Sequence, residues 1–266
     1  MSGSRLRAAL AGLAALVFIV PVVIGLLLTS GGGAGAATTT AAHYTPAAAP
    51  AASPTTVRKA SPSVPAGPGT LVALVRHSTT MRSAPDGGRT LAKVTTRTGF
   101  GSPQVVWVVQ HQAGWLGVIS TLAGNGHVGW IPQSATSLSR IPWEIKVSLA
   151  ARQVTVLKSG KVLERYTVAI GAPTAPTPTG RFAVTDRLNT GDPSGPYGCC
   201  ILALSAHAPH AISDWDGGNR IAIHSTPETS SIGLPVSHGC MRLTLPEGQW
   251  LLEHIPLGTP TLISSS

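Results

Sequence analysis

Glycine and proline interrupt this chain so often that it is poorly suited to a long helical bundle. Its 266 residues include 30 Gly and 22 Pro, and only 11% of them are charged. Gly and Pro end helices and form turns, so this composition favours β structure with many turns and flexible connectors. As a prior, the length allows about two folded domains besides accessory segments.

The first 29 residues have the pattern of an exported protein. Arg5 and Arg7 precede an almost unbroken apolar run over residues 8–28, which at about 21 residues is long enough to span a bilayer. Positive charges before such a run stay on the cytoplasmic side. Small residues at 33–37 would also allow cleavage. We predict that residues 1–29 are a signal peptide or a membrane anchor, and that the protein acts at the extracytoplasmic face of the cytoplasmic membrane or in the cell wall.

The formal net charge of +9 and the pI of 10.2 indicate an anionic partner. Nucleic acid is not expected, because the chain has no Lys/Arg cluster, zinc-ligand spacing or aromatic ribonucleoprotein motif. A membrane or wall surface is therefore the favoured partner. Residues 30–68, dominated by Ala, Thr, Pro, Gly and Ser, lack periodicity and are predicted to form an extended, disordered linker.

Residues 69–140 are predicted to form a small β domain. The apolar runs at 71–75 and 105–109 are rich in β-branched residues, and turn sequences lie at 85–88 and 124–126. The segments Gly114–Leu116 and Gly129–Pro132 resemble small bacterial barrels of the Src-homology type. That resemblance implies a wall-binding barrel, and the alternative is a spacer domain whose tryptophans fill its own core.

Residues 142–264 are predicted to be mainly β with one or two short helices. A capping-box pattern, Thr244 followed by Glu247, predicts one helix before Gly258, and Ser159-Gly160 predicts a hairpin turn. The predicted strands are 145–149, 153–157, 162–169, 181–185, 201–204, 221–224 and 259–263.

Cys240 is the candidate nucleophile. It lies in a polar turn, Ser237-His238-Gly239-Cys240, where a thiol is more accessible than inside an apolar strand. Only a few per cent of a free thiol is ionised at neutral pH, so an imidazole must take its proton. His238 and His224 are both candidates. His224 ends an apolar strand, a rigid position from which to direct a ring toward a facing loop.

A histidine followed by Ser-His-Gly-Cys resembles the signature of the L,D-transpeptidase catalytic domain, a family of bacterial cysteine enzymes that cross-link peptidoglycan. Twelve residues separate His224 from Ser237, near the short end of the spacing in that family. The segment Pro176–Phe182 also resembles a strand entry of the family. The likeness spans about 120 residues and implies a β-sandwich or barrel.

The resemblance implies a role for each matching residue. Cys240 would attack the substrate carbonyl, and His224 would be general base and then acid. The backbone carbonyl of Ser225 would orient the imidazole. The acyl-donor site would be lined by Ser237 and His238.

Backbone N–H groups around Gly239 and Cys240 would form the oxyanion hole. Many family members have Asn where this chain has Arg242, which could bind a substrate carboxylate. The family also implies acylation of the thiol by carbapenems, and it implies no metal or organic cofactor.

The other candidate groups carry weaker signals. Cys199 and Cys200 lead into an apolar strand, which favours packing over a vicinal disulfide. His207 and His210 have metal-compatible spacing, but two ligands are a weak signal and we interpret them as loop residues. The chain has no Ser-x-x-Lys, Gly-x-Ser-x-Gly or His-Glu-x-x-His motif, which argues against the corresponding serine and zinc enzymes.

Three hypotheses follow for the function. The first is an acyltransferase that cross-links the third-position residues of two stem peptides through a Cys240 thioester. The second is an L,D-carboxypeptidase with the same nucleophile and water as the acceptor. The third is a wall-binding protein whose cysteine is not used.

Overall fold

Strands dominate the structure. The computed structural model describes residues 63–209 and 219–266, which fall within one compact unit. In these two ranges the chain forms 17 strands, three short 3-10 helices and one α-helix, which confirms the predicted mainly β fold. The predicted signal or anchor segment and the linker up to residue 62 lie outside the described residues. No helix within the described ranges is long and apolar enough to cross a bilayer.

The first sheet is entirely antiparallel and has seven strands in the order β3-β2-β6-β5-β4-β1-β7. Alternate residues of β4, such as Val106 and Val108, point into its core, as expected for a sheet with one buried face. Its relation to Src-homology barrels stays a prediction. The strands are β1 (Thr70–Val75), β2 (Thr79–Arg82), β3 (Thr90–Val94), β4 (Val105–Gln112), β5 (Trp115–Ile119), β6 (Gly129–Pro132) and β7 (Thr136–Ile141).

The rest of the chain contributes ten strands and the helix. They are β8 (Trp143–Ser148), β9 (Gln153–Lys158), β10 (Lys161–Thr167), β11 (Ile170–Gly171), β12 (Gly180–Asn189), β13 (Cys200–His207), β14 (Arg220–Ser225), β15 (Pro235–Ser237), β16 (Met241–Leu243), α1 (Leu245–His254) and β17 (Pro260–Ser264). The 3-10 helices are Thr121–Ala123, Gln133–Ala135 and Thr229–Ser231.

Eight of these strands form a mixed sheet in the order β10-β9-β8-β17-β12-β13-β14-β16. The pairs β8–β17 and β14–β16 are parallel, and the other pairs are antiparallel. Strands β11 and β15 form a separate parallel pair. Strands β12 and β13 extend beyond the predicted 181–185 and 201–204, and their core residues include Phe182, Val184, Leu202 and Leu204.

Helix α1 begins as predicted and ends earlier than predicted. Thr244 is its N-cap, and the Glu247 carboxylate accepts a 2.9 Å hydrogen bond from the Thr244 N–H. The sequence analysis placed the end at Gly258, but the helix ends at His254. The reason is Pro256, because a residue before proline is driven to extended backbone, and Ile255 has ψ 116°.

Polar contacts join loops of the first sheet to the second. The Asn125 side chain pairs with the His207 backbone, donating to its carbonyl (2.7 Å) and accepting from its N–H (2.9 Å). The Thr98 hydroxyl donates to Asp186, whose side chain is fully buried and lies 3.8 Å from the Arg220 guanidinium. A buried carboxylate needs such partners, because an unpaired one is costly.

Thr98→Val is therefore expected to lower the free energy of unfolding by about 1–3 kcal/mol, since it removes a donor to a buried carboxylate. Thr95→Val is the matched control. Thr95 is exposed and bonds only within its own loop, so its change should stay within about 0.5 kcal/mol. Urea unfolding of the full chain measures both, and equal losses for the two variants would contradict the assignment.

Candidate active site

The parallel pairing of β14 with β16 brings the candidate catalytic residues onto one face. The register aligns Ile223 with Met241 and His224 with Arg242. Ile223 and Met241 point into the core, so the alternation of strand side chains directs His224 and Arg242 to the opposite face. Cys240 directly precedes β16, and its Sγ contacts the carbonyl of Arg220 in β14, the strand that also carries His224.

Buried hydrogen bonds hold the turn that presents Cys240. Ser237 Oγ donates to the Cys240 carbonyl (2.5 Å) and accepts from the Gly239 N–H (3.1 Å). Thr177 Oγ1 donates to the Gly239 carbonyl (2.9 Å) and accepts from the Gly171 N–H (2.9 Å). No role was predicted for Thr177 from the sequence, where it is part of the segment Pro176–Phe182 that resembles a strand entry of the family. Ser237 is 1% exposed, so its hydroxyl shapes the turn from inside.

Glycine is required at position 239. Its φ is +109°, which side chains rarely adopt, and a Cβ there would lie 2.8 Å from Ile221 Cδ1. The backbone thus packs directly against a core residue of β14. This close approach of the Gly239 backbone to β14 determines how far Cys240 lies from the sheet.

Cys240 is a half-buried residue and a free cysteine among the described residues. Its Sγ lies 3.9 Å from the Arg220 carbonyl, to which the thiol donates. Burial raises the pKa of the thiol, and a backbone hydrogen bond from Ala222 and the positive charge of Arg242 oppose that rise. The thiol is therefore protonated in the resting enzyme.

The His224 ring is 3% exposed and held in one tautomer. Its Nδ1 lies 2.8 Å from the Ser225 carbonyl. A carbonyl can only accept, so the proton is on Nδ1 and Nε2 carries the lone pair. Burial lowers the pKa of His224 to about 4, and the charge of Arg242 lowers it further, while the carbonyls of Ser225 and Tyr197 oppose the shift.

The resting pair is accordingly a neutral thiol and a neutral imidazole. The sequence predicted only that an imidazole takes the thiol proton. Burial acts against both charges, raising the pKa of Cys240 and lowering that of His224. A thiolate would then form only as the proton moves to Nε2 during attack.

Tyr197 packs on the histidine, and the sequence analysis gave it no role. Its ring meets the His224 ring edge-on, with centroids 5.0 Å apart and an interplanar angle of 69°. Ser225 Oγ lies 3.3 Å from the Tyr197 carbonyl and accepts from the Cys200 N–H (3.1 Å). In the sequence, the one feature that could have predicted this contact is an aromatic residue, Tyr197, within a Gly-rich loop.

Cys199 and Cys200 form a disulfide, which corrects the expectation that packing is their role. Cys200 is nevertheless buried, at 3% exposure. Adjacent cysteines have the same spacing whether they are bonded or free, so spacing could not distinguish the two states. The disulfide lies beside Ser225, with Cys199 Sγ 3.4 Å from Ser225 Oγ.

Arg242 aligns with His224 in the strand register, and its charge acts on both His224 and Cys240. Its Nη1 lies 3.6 Å from a Glu228 carboxylate oxygen, and its side chain is 22% exposed. Its Nε is buried and has no hydrogen-bond partner among the described residues. The Nε–H group of Arg242 is therefore a hydrogen-bond donor that lacks an acceptor among the described residues. His238 is exposed.

The remaining histidines do not form a metal site in the part of the chain that the structure describes. His207 ends β13 instead of lying in a loop, and its Nδ1 is 2.8 Å from Asn219 Oδ1. His210 lies outside the described residues. Residues 63–209 and 219–266 contain no group of three or more His, Cys, Asp or Glu side chains suited to hold a metal.

Comparison with known proteins gives the family. A profile of the L,D-transpeptidase catalytic domain (YkuD) matches residues 142–263. The putative L,D-transpeptidase YkuD of Bacillus subtilis is 32% identical over 124 residues, which are 47% of this chain and 67% of that protein. L,D-transpeptidase 1 of Mycobacterium tuberculosis is 30% identical over 123 residues, which are 42% of this chain and 47% of that protein.

A solved structure of the L,D-transpeptidase LdtMt1 in complex with imipenem aligns with a TM-score of 0.41 at 17% identity, covering 71% of this chain and 100% of that one. The sequence matches define the class, an acyltransferase-type enzyme of the bacterial wall. This chain belongs to the L,D-transpeptidase family.

The buried neutral state of His224 predicts a loss of stability in acid. An unfolded histidine has a pKa near 6.5, whereas that of folded His224 is about 4. Between these two values the unfolded chain binds more protons than the folded chain. The free energy of unfolding is therefore highest above pH 6.5 and falls by up to about 3 kcal/mol as the pH approaches 4. Urea unfolding at several pH values measures this, and His224→Gln should remove that part of the slope. His127→Gln, at an exposed position, should keep it, and equal slopes for wild type and His224→Gln would contradict the assignment.

Proposed function

We propose that this protein is a peptidoglycan L,D-transpeptidase whose Cys240 forms a thioester with one stem peptide and passes it to an amine of another. The observation that supports the proposal is the contact of Cys240 Sγ with β14, the strand that carries His224, together with the Ser225 carbonyl at Nδ1, which leaves Nε2 of the imidazole to accept a proton. Membership in the L,D-transpeptidase family supports the substrate class.

The first half-reaction acylates the thiol. As Cys240 Sγ attacks the carbonyl of the third, L-centre residue of a tetrapeptide stem, its proton passes to His224 Nε2. The oxyanion needs backbone donors. The Gly239 N–H already donates to Ser237 Oγ, which favours the Cys240 N–H as a donor to the oxyanion.

His224 then acts as the acid. A buried imidazolium with a pKa of about 4 gives up its proton readily, and the departing D-Ala amine takes it. The Ser225 carbonyl keeps Nδ1 occupied throughout, so the proton moves only at Nε2. The thioester remains on Cys240.

In the second half-reaction an amine on the third residue of a neighbouring stem attacks the thioester. His224 removes the amine proton and the thiol is regenerated, which leaves a link between two third-position residues. No cofactor takes part in these steps. Water in place of the amine would make the protein an L,D-carboxypeptidase, and the products distinguish the two activities.

Arg242 is proposed to bind a carboxylate of the donor stem. It lies beside His224 in the strand register, and its Nε has no protein partner among the described residues. Its link to Glu228 is 3.6 Å long and Glu228 is exposed, so a substrate carboxylate could replace that partner with a bidentate pair.

The other segments are proposed to place this site at the wall. Residues 1–29 would direct export or anchor the chain in the cytoplasmic membrane, and residues 30–68 would be the linker. The first sheet, residues 69–140, would bind wall peptides. The net charge of +9 suits an anionic wall or membrane surface.

Cys240→Ala is expected to abolish cross-linking of purified tetrapeptide stems, and His224→Ala to slow it by about 10²–10⁴-fold through loss of general acid–base catalysis. Mass spectrometry of the products measures both, and imipenem should add to the wild type but not to Cys240→Ala. His127→Ala is the matched control for histidine loss. Cross-linking by Cys240→Ala would eliminate the proposal, and tripeptide as the sole product with an amine present would favour the carboxypeptidase.

Arg242→Gln is expected to raise KM for the donor stem about 10- to 100-fold. This range corresponds to the loss of a charge-assisted hydrogen bond, which contributes about 1.5–3 kcal/mol. A smaller effect on kcat is expected, because the contact is present in the ground state as well. Arg89→Gln, at an exposed arginine of the first sheet region, should leave KM unchanged. An unchanged KM in Arg242→Gln would refute the carboxylate contact.

A further inference from the structure

A short loop ending in the vicinal disulfide packs on the proposed general base. The Tyr197 ring contacts the His224 ring, and two residues later the chain enters the Cys199–Cys200 disulfide. The same loop contacts Ser225, whose carbonyl holds His224 Nδ1. The four-residue segment Tyr197–Cys200 therefore supports the histidine both at its ring and, through Ser225, at its Nδ1.

The Ser225 hydroxyl joins the parts of this support. Its Oγ accepts from the Cys200 N–H and lies 3.3 Å from the Tyr197 carbonyl and 3.4 Å from Cys199 Sγ. A hydroxyl has one proton to donate. A disulfide sulfur carries no proton, so Cys199 can only accept in the oxidised state, and the Ser225 hydroxyl is the donor in this group.

The loop has little freedom to adjust. A Cβ at Gly198 would lie 2.5 Å from Ser225 Oγ, and the residue has φ +55°. Thr190 Oγ1 donates to the Gly198 carbonyl (2.5 Å). Cys200, at 3% exposure, is the first residue of β13, and Ile201 after it pairs with His224 in the register.

Reduction would change both the space and the hydrogen bonds. Two unbonded sulfur atoms need more room than a bonded pair, and Cys200 is buried, so Cys199 must move. A Cys199 thiol also gains a proton beside Ser225 Oγ and the Leu245 carbonyl, which lies 3.8 Å from its sulfur. Movement of Cys199 displaces Tyr197, because only Gly198 lies between them.

We infer that the Cys199–Cys200 disulfide is a redox-sensitive support of His224, which acts through Tyr197 and Ser225, and that its reduction slows the chemistry of Cys240. The inference rests on the proposed function for the role of His224. Cys199 and Cys200 are thus positioning residues. The proposed signal is a dithiol reductant in the surroundings of the enzyme.

The redox step balances with a dithiol. One thiolate of the reductant attacks the sulfur of Cys199, the less buried residue of the two, and expels the Cys200 thiolate, which takes a proton. The second thiol of the reductant displaces Cys199 and closes a disulfide. Two electrons and two protons pass to the protein, and Cys240 is a thiol before and after.

The test uses the full chain purified without reductant, treated with dithiothreitol and then freed of it by gel filtration. Alkylation under denaturing conditions should count one thiol before reduction and three afterwards. The rate of native Cys240 alkylation by iodoacetamide, followed by peptide mapping over the neutral pH range, and the rate of imipenem acylation are the readouts. Reduction should slow imipenem acylation about 10- to 100-fold, as expected for a catalytic group misplaced by about 1 Å, and shift the alkylation pH profile.

Reoxidation should restore the wild-type rates. The variant with both Cys199→Ala and Cys200→Ala has no disulfide to reduce, so dithiothreitol should leave its rates and its alkylation profile unchanged. His224→Ala should be slow in both states, because the effect passes through the histidine. Ser225→Ala keeps the carbonyl but loses the hydroxyl, and should shift the pH profile in the same direction.

Three thiols in the protein as purified would overturn the inference. So would an unchanged alkylation profile after the thiol count has risen to three. Failure of the proposed function has a different signature, since neither imipenem nor stem peptides would then acylate Cys240 in either state. The alkylation profile would still decide the role of the disulfide in that case.

Discussion

The pairing of two short parallel strands, β14 and β16, is the constraint on which the site depends. Strand β16 has only three residues, and its register alone aligns His224 with Arg242. A slip of one residue would turn Arg242 toward the core and the core residue Met241 toward solvent. Ile223, Met241 and Leu243 oppose that slip because they bury their side chains on the other face. The hydrophobic core thus sets the positions of the catalytic groups.

Burial also decides the electrostatics of the site. It raises the pKa of Cys240 and lowers that of His224, so neither group is charged at rest. The charge of Arg242 opposes the effect of burial on the pKa of Cys240, because it favours the thiolate, but adds to the effect on the pKa of His224, because it disfavours the imidazolium. A thiol is less nucleophilic and less easily oxidised than a thiolate, so the raised pKa lowers the intrinsic reactivity of Cys240.

The sequence predicted most of the fold from short-range patterns. Alternation and turn residues located β8, β9 and the Ser159–Gly160 hairpin, and the capping box located the start of α1. Strand pairing across distant parts of the chain could not be read in this way. The 3.9 Å contact of Cys240 with the Arg220 carbonyl depends on that pairing, as do the hydrogen bonds of Thr177.

The candidate site was predicted from a resemblance to a family signature, and its surroundings were not. The motif supplied Cys240, His224 and Ser225 as candidates, but it carries no information about the loop that packs on them. Tyr197 and the disulfide lie 24–27 positions before His224 in the chain. Adjacent cysteines also look the same in a sequence whether they are bonded or free. Expectations based on the intrinsic pKa of a thiol and an imidazole also missed the neutral resting pair, because desolvation is a property of the folded chain.

Arg220 connects the first sheet to the nucleophile. Its carbonyl accepts from the Cys240 thiol, while its guanidinium donates to the Leu204 carbonyl (3.0 Å) and to Thr185 Oγ1 (2.6 Å). Asp186 faces the same guanidinium and accepts from Thr98 of the first sheet. A buried charge tolerates little displacement of its partners. The loop that carries Thr98 therefore helps to fix the position of Arg220, whose backbone contacts Cys240. The first-sheet region therefore contributes, through Thr98 and Asp186, to the contacts that hold Arg220 beside Cys240.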